Sequence, residues 1–299
     1  MKIVTFEVDG RKRFGLVSGD AVIDLRDRTS MPSVVALLAS GRLMEARTFA
    51  LERPDYKLSD VTLLPCIPDP PHFYCIGVNY AGHLAEAQKA GLPRSRPTRP
   101  SIFMRYPESY VGHGQDIILP GVSTSFDYEI ELAVVMGKSG RYIEKDAALS
   151  HVAGYTIFND GSIRDWQSHT QQVGPGKNFL ATGALGPWLV TTDEVGDVGN
   201  LALELKLNGT TLQKGTTREM IFDVADIISY ISAFMPLSPG DLISTGTPAG
   251  VGSLRNPPIF MKDGDICELT IEKIGTLRNR VVAEPPRQHW AMSVQQRVE

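Results

Sequence analysis

Apolar and polar residues alternate along 2–8 (KIVTFEV), 14–18 and 21–25, a period of two that predicts three strands. Asp9-Gly10 and Gly19-Asp20 lie between them and are hairpin signals. Residues 32–52 read as helical, with a break near Gly41. Four prolines then crowd together: Pro65, Pro68, Pro70 and Pro71. Proline fixes φ and removes a backbone donor, so this stretch marks a boundary. It is expected to separate a small N-terminal α+β domain, 1–65, from a larger domain, 66–299. Strand-like runs follow at 73–78, 101–104, 128–136, 152–158, 186–191, 202–207, 241–245 and 266–273. Helical patterns are fewer, at 81–90, 145–149 and 223–235. Strand and helix do not alternate regularly, so the expected class is α+β and β-rich rather than doubly wound. The last ~15 residues are polar and expected to be peripheral.

Composition narrows the picture. The chain has 299 residues, 42% hydrophobic and 21% charged, ordinary for a protein with a packed core. Disorder, collagen and coiled coil are excluded. A net charge of -4 argues against a nucleic-acid partner. The three cysteines, Cys66, Cys75 and Cys267, are too scattered for a disulfide framework. The N-terminus reads as a strand rather than a signal peptide, and no apolar run reaches the ~18 residues of a membrane span. The expected location is the cytoplasm, with no membrane partner. Asn208-Gly209-Thr210 matches a glycosylation sequon but reads as a turn.

The chemistry concentrates in a few segments. In Ser125-Phe-Asp-Tyr-Glu-Ile-Glu-Leu-Ala-Val-Val-Met-Gly137, a continuous strand would put Asp127, Glu129 and Glu131 on one face. Three such acids repel unless something neutralises them. Two readings stand: a solvated acidic face, or a site for a divalent cation. All-oxygen donors favour Mg²⁺, Mn²⁺ or Ca²⁺ over zinc. A further ligand would come from Asp160, at the end of the strand-like Gly154-Tyr-Thr-Ile-Phe-Asn-Asp160.

His83 and Glu86 stand at i, i+3 on a predicted helix. They form either a plain surface pair or an imidazole oriented by a carboxylate, suited to activating water. Lys177 follows a glycine turn, Gly174-Pro-Gly-Lys, that is not a Walker A loop. It is a surface lysine or an oxyanion donor. Thr245-Gly-Thr-Pro-Ala-Gly-Val-Gly252 lacks dinucleotide spacing. It is a structural turn, or a place where the backbone approaches a ligand and Thr247 binds an anion. No Gly-x-Ser-x-Gly occurs, which argues against a serine α/β-hydrolase, and no His-Glu-x-x-His occurs, which excludes zinc-protease chemistry.

Seven segments in order resemble the fumarylacetoacetate hydrolase family: GVNYAGHLAE (77–86), FDYEIELAVVMGK (126–138), GYTIFNDGSIRDWQ (154–167), GKNF (176–179), GPWLV (186–190), LNGTTLQ (207–213) and LSPGDLISTGTPAGVG (237–252). The resemblance is to acylpyruvate hydrolase-like members. It implies a mixed β-sandwich roll and a homodimer. It implies Mg²⁺ or Mn²⁺, with Ca²⁺ an option, on Glu129, Glu131 and Asp160. His83, Glu86 and Lys177 take the catalytic positions. Arg105, Tyr128, Arg164, Gln167 and Thr247 take substrate-binding positions. Where many members carry a lysine, this chain has Ile102-Phe-Met-Arg105.

The implied reaction is metal-dependent hydrolysis of a C–C bond in a β-diketo acid of acylpyruvate or fumarylpyruvate type. The alternative on the same site is an oxoacid decarboxylase, tautomerase or isomerase acting on an oxaloacetate-like substrate. Arg94, Arg96 and Arg99 either attract the anionic substrate or form a solvated basic loop.

Overall fold

The computed structural model describes residues 1–93 and 95–285. Arg94 and the polar tail lie outside the described residues. The three N-terminal strands form as Lys2–Val8, Arg11–Ser18 and Ala21–Asp24. Asp9 and Gly10 both have positive φ (51° and 67°), the tight hairpin conformation their sequence announces. The helical stretch breaks as expected, into the helix Val34–Ala39 and the 3-10 helix Leu43–Leu51. Lys2–Val8 also pairs with Gly183–Thr191, at Lys2↔Val190 and Ile3↔Leu189, so the first hairpin continues a large sheet.

That sheet has twelve strands, and Ile130–Met136 lies near its middle. This strand pairs antiparallel with Val152–Asn159 on one side and Leu242–Ser244 on the other. All seven of its residues are buried, which explains its nearly unbroken apolar run. Leu132 and Val134 face a core shared with Leu203, Leu205, Leu269 and Leu277 of a second, five-stranded sheet. Ala133 and Val135 face the opposite core, with Ile3, Leu37 and Leu38 of the N-terminal segment. Both faces of the central strand are therefore covered, as in a sandwich.

The two longest strands that escaped the sequence reading are Thr210–Thr216 and Gly275–Ala283. In the second, Leu277 and Val281 point inward but Asn279 is buried between them. A polar residue in the inward series hides the period of two. Its Nδ2 donates to the carbonyls of Gly112 and Gln115, both at 2.8 Å. The sequon residues Asn208 and Gly209 form the hairpin turn into the first of these strands, with φ of 51° and 80°. Among the described residues, no helix is long and apolar enough to cross a membrane.

Candidate active site

The acid-rich segment does not run as one strand. Phe126–Asp127 pairs with Ser162–Ile163 in a two-stranded ribbon, and the long strand begins only at Ile130. The break separates the three acids. Asp127 accepts hydrogen bonds from Arg164 Nε at 2.8 Å, Gly252 N at 2.7 Å and Ser253 N at 2.9 Å. Glu129 and Glu131 turn elsewhere. The antiparallel register sets Ile130 against Asn159, which carries Asp160 to Glu129, and Asp160 N donates to Glu129 O at 3.0 Å. One carboxylate oxygen each from Glu129, Glu131 and Asp160 lies within 4.8 Å of the others, and all three residues are buried. The solvated-face reading is thereby excluded for Glu129 and Glu131. A cluster of hard oxygen donors at this spacing fits Mg²⁺, Mn²⁺ or Ca²⁺.

Lys177 is 2% exposed and lies against this cluster. Its Nζ donates to Glu129 Oε2 (2.7 Å), Asp160 Oδ2 (2.6 Å) and Ser162 Oγ (2.7 Å), and it sits over the Phe103 ring at 5.2 Å. It is not a surface lysine. Burial opposes its charge, but Asp160 and Glu129 prevail and raise its pKa. Arg164 donates to Glu129 Oε1 at 2.6 Å and to Gln167 Oε1 at 2.9 Å. Burial pushes Glu129 upward, yet Arg164, Lys177 and then His83 hold it well below the usual carboxylate range. Glu131 moves the other way. Burial, followed by the charges of Asp160 and Glu129, raises it well above its ordinary value.

These groups line a cavity of about 660 Å³, within the range of small-molecule sites. His83, Gln167 and Thr247 line it too. Val78, also in its wall, has φ +54°. A β-branched residue there costs about 1–3 kcal/mol. The turn swings the chain from the strand Phe73–Gly77 into the helix Ala81–Lys89, which presents His83 to the cavity. Asn79 clamps it, donating to Phe222 O (3.0 Å) and Thr245 O (2.8 Å) and accepting from Phe222 N (2.9 Å).

His83 Nδ1 lies 3.5 Å from Glu86 Oε2. Glu86 also accepts from Gly250 N at 3.0 Å, which ties the helix to the glycine-rich loop. Burial would raise the Glu86 pKa, but His83 and the Gly250 amide outweigh it and keep the carboxylate ionised. An ionised carboxylate only accepts, so Nδ1 carries the hydrogen and Nε2 is left as a base.

The loop after Leu242–Ser244 serves the acids of the protein itself. Gly246 N donates to Glu131 at 2.9 Å, Gly250 N to Glu86, and Gly252 N to Asp127. Gly246 has φ +92°, and a Cβ there would lie 2.9 Å from that of Asn79, so no larger residue fits. The sequence showed a turn but not which groups its amides would meet. Gln213 was named only within a motif. It is buried, accepts from Ile130 N at 3.0 Å and donates to Thr247 Oγ1 at 2.8 Å. Because Thr247 accepts from Gln213, its own hydrogen is left to donate into the cavity.

Several expected residues stand apart from the cavity wall, Glu86 behind His83 among them. Tyr128 is fully buried in the inter-sheet core, where burial and then Asp127 push its phenol up to about 12. Arg105 is buried behind Asp160. Arg96 and Arg99 are not among the lining residues, and Arg94 lies outside the described residues.

Residues 72–282 match the family model described as fumarylacetoacetate (FAA) hydrolase, C-terminal. The chain is 39% identical over 293 residues to oxaloacetate tautomerase FAHD2A, mitochondrial, of Bos taurus, covering 94% of this chain and 92% of that protein. It is 39% identical over 294 residues to 2,4-didehydro-3-deoxy-L-rhamnonate hydrolase of Sphingomonas sp. (strain SKA58), covering 94% and 96%. The solved maleylpyruvate hydrolase of Sphingobium sp. SYK-6, in complex with manganese(II) and pyruvate, matches with a TM-score of 0.79 at 27% identity, covering 95% of this chain and 100% of that one.

Proposed function

The chain belongs to the fumarylacetoacetate hydrolase family, and on that premise we propose that it hydrolyses a C–C bond in a 2,4-dioxo acid with the help of a divalent cation. The observation that carries this reading is His83, with Glu86 at its Nδ1, facing the same cavity as the Glu129, Glu131 and Asp160 carboxylates. Enolisation needs only the cation side. A positioned base in the same cavity serves a water.

A cation held by those three carboxylates supplies Lewis-acid polarisation of the substrate's oxo groups. The Thr247 hydroxyl donates to the substrate carboxylate. His83 Nε2 takes a proton from water, and the hydroxide adds to the distal carbonyl carbon. The bond from that carbon to the central CH₂ breaks, releasing a carboxylic acid. Its electron pair passes to the pyruvate half as an enolate, whose charge Lys177 stabilises. The proton on His83 then converts the enolate to pyruvate.

Among the described residues, the buried cluster sets Asp127, Glu129, Glu131 and Asp160 against Arg105, Arg164 and Lys177. Within that set a dication would turn one excess negative charge into one positive charge. Apart from His83 and the charged residues already named, the described lining residues are uncharged. They include Leu92, Val173, Leu254, Thr170 and Gln171. This favours an uncharged acyl tail. The Sphingomonas relative supports it, since its name describes oxo groups at C2 and C4 of a sugar acid. The similarity to the bovine oxaloacetate tautomerase favours the second reading, enol–keto interconversion on the same site.

Incubation with Mg²⁺ and a panel of 2,4-dioxo acids plus oxaloacetate separates the two. Pyruvate and a second acid in equal amounts are the expected products. Loss of the enol signal of oxaloacetate, with no cleavage of any dioxo acid, would establish the tautomerase instead.

Lys177→Met is expected to lower kcat by about 10²–10³, the usual effect of removing a group that stabilises an oxyanion, here through its charge. It also strips Glu129 and Asp160 of one of their two cationic partners, which costs up to about 3–5 kcal/mol in the ion-free protein. kcat at saturating cation and a thermal melt check both. A change in kcat within twofold would remove Lys177 from the chemistry.

A further inference from the structure

Arg105 stands where the family resemblance leads one to expect a lysine, and its surroundings say what the larger group is for. Its side chain is fully buried, and every guanidinium nitrogen is engaged. Nε donates to Ser109 Oγ (3.0 Å), Nη1 to Asp160 Oδ1 (2.8 Å) and Gly161 O (3.0 Å), and Nη2 to Ser109 O (2.7 Å) and Thr182 Oγ1 (3.4 Å). The other oxygen of Asp160 accepts from Lys177. Asp160 and Lys177 line the cavity, whereas Arg105 does not.

The space for the guanidinium comes from Gly183. A Cβ at Gly183 would stand 2.6 Å from Arg105 Nη2 and 3.2 Å from Cζ. Gly183 is outside the left-handed region, so room rather than backbone conformation explains the glycine there. A lysine carries three donors on one point and cannot hold Asp160, Gly161 and Ser109 together in this fork.

We propose that Arg105 is a positioning residue that fixes Asp160 for the divalent cation without touching substrate, and that Gly183 is the space this arginine requires. The proposal rests on the cation reading of the three carboxylates. Outer partners of metal ligands typically change metal affinity by about 10- to 100-fold.

The test compares Arg105→Lys, Gly183→Ala and the double variant. Mn²⁺ affinity is measured by calorimetry on chelator-treated protein, and KM and kcat at saturating Mn²⁺. Arg105→Lys and Gly183→Ala should each weaken Mn²⁺ binding by about 10- to 100-fold, with KM within twofold of wild type. In the double variant the losses should fall well short of multiplying, because the clash at Gly183→Ala needs the guanidinium. The 3.0 Å approach of that Cβ to Asn159 O is present in both backgrounds and cancels.

A raised KM with unchanged Mn²⁺ affinity would make Arg105 a substrate group and overturn the proposal. Fully multiplicative losses would overturn the role of Gly183. If Arg105→Lys fails to fold, Gly183→Ala alone decides, since it leaves every charge in place: unchanged Mn²⁺ affinity there overturns the pairing. Wild-type protein that binds no Mn²⁺ would instead refute the underlying cation reading.

Discussion

Glu131→Gln protein is expected to be inactive with either Mg²⁺ or Mn²⁺ and to show no rise in Tm on addition of the ion, while its ion-free Tm equals or exceeds that of wild type. The reason is the environment of this carboxyl. It is 2% exposed and accepts from the Ser244 hydroxyl and the Gly246 amide. Burial and the neighbouring Asp160 and Glu129 disfavour its charge. Without a cation the charged carboxyl is disfavoured, and glutamine has the same shape. Glutamine cannot supply the anionic oxygen that a hard cation needs.

In wild type the same ion should stabilise strongly, by about 2.7 kcal/mol at a hundredfold excess over its Kd. EDTA should abolish turnover reversibly. The idea is sunk if EDTA-treated Glu131→Gln protein keeps full activity, or if wild type melts identically with and without the ion.

His83→Ala is expected to lose C–C hydrolysis by about 10²–10⁴, the usual contribution of a general base. It should still exchange the acidic CH₂ hydrogens of its substrate for deuterium when the cation is present. The two losses separate because only hydrolysis needs an activated water. Glu86→Gln should fall between wild type and His83→Ala. It keeps the contact to Gly250 N but surrenders the charge that orients and strengthens the imidazole. The 3.5 Å separation of His83 and Glu86 does not weigh against the role, since catalytic contacts tighten in the substrate complex. Proton NMR in D₂O follows exchange, and pyruvate release follows cleavage. If exchange and hydrolysis vanish together, His83 acts on the substrate's own proton, as a tautomerase would require. Unimpaired hydrolysis would remove it from the mechanism altogether.

Much of this molecule was legible because local signals agreed with the tertiary structure. Period-two alternation gave the first three strands, and Asp9-Gly10 gave their hairpin. The helix Val224–Phe234 was announced by its apolar period, and the structure closes its start with a capping box between Asp223 and Asp226. Gly275–Ala283 was missed because Asn279 interrupts the inward series, and only its long-range partners make a buried amide tolerable there.

The acid-x-acid spacing and the Asn-Asp strand end already marked Glu129, Glu131 and Asp160. Spacing alone could not exclude a solvated face, and it grouped Asp127 with the other two.

By itself, the sequence determined most of the longer elements, the absence of several common catalytic motifs, and the short list of residues able to hold a cation or move a proton. Those are properties of residue type and near-neighbour spacing. Only the tertiary structure decided the partners. The break at 128–129 sent Asp127 to Arg164, and the pairing of Ile130 with Asn159 carried Asp160 to Glu129. The loop after Ser244 spent its amides on the chain's own carboxylates. Lys177 joins Glu129 across 48 positions, Arg105 joins Asp160 across 55, and Gly246 joins Glu131 across 115. Contacts at such separations depend on strand register and on burial that removes competing water. No local pattern of residues encodes either one.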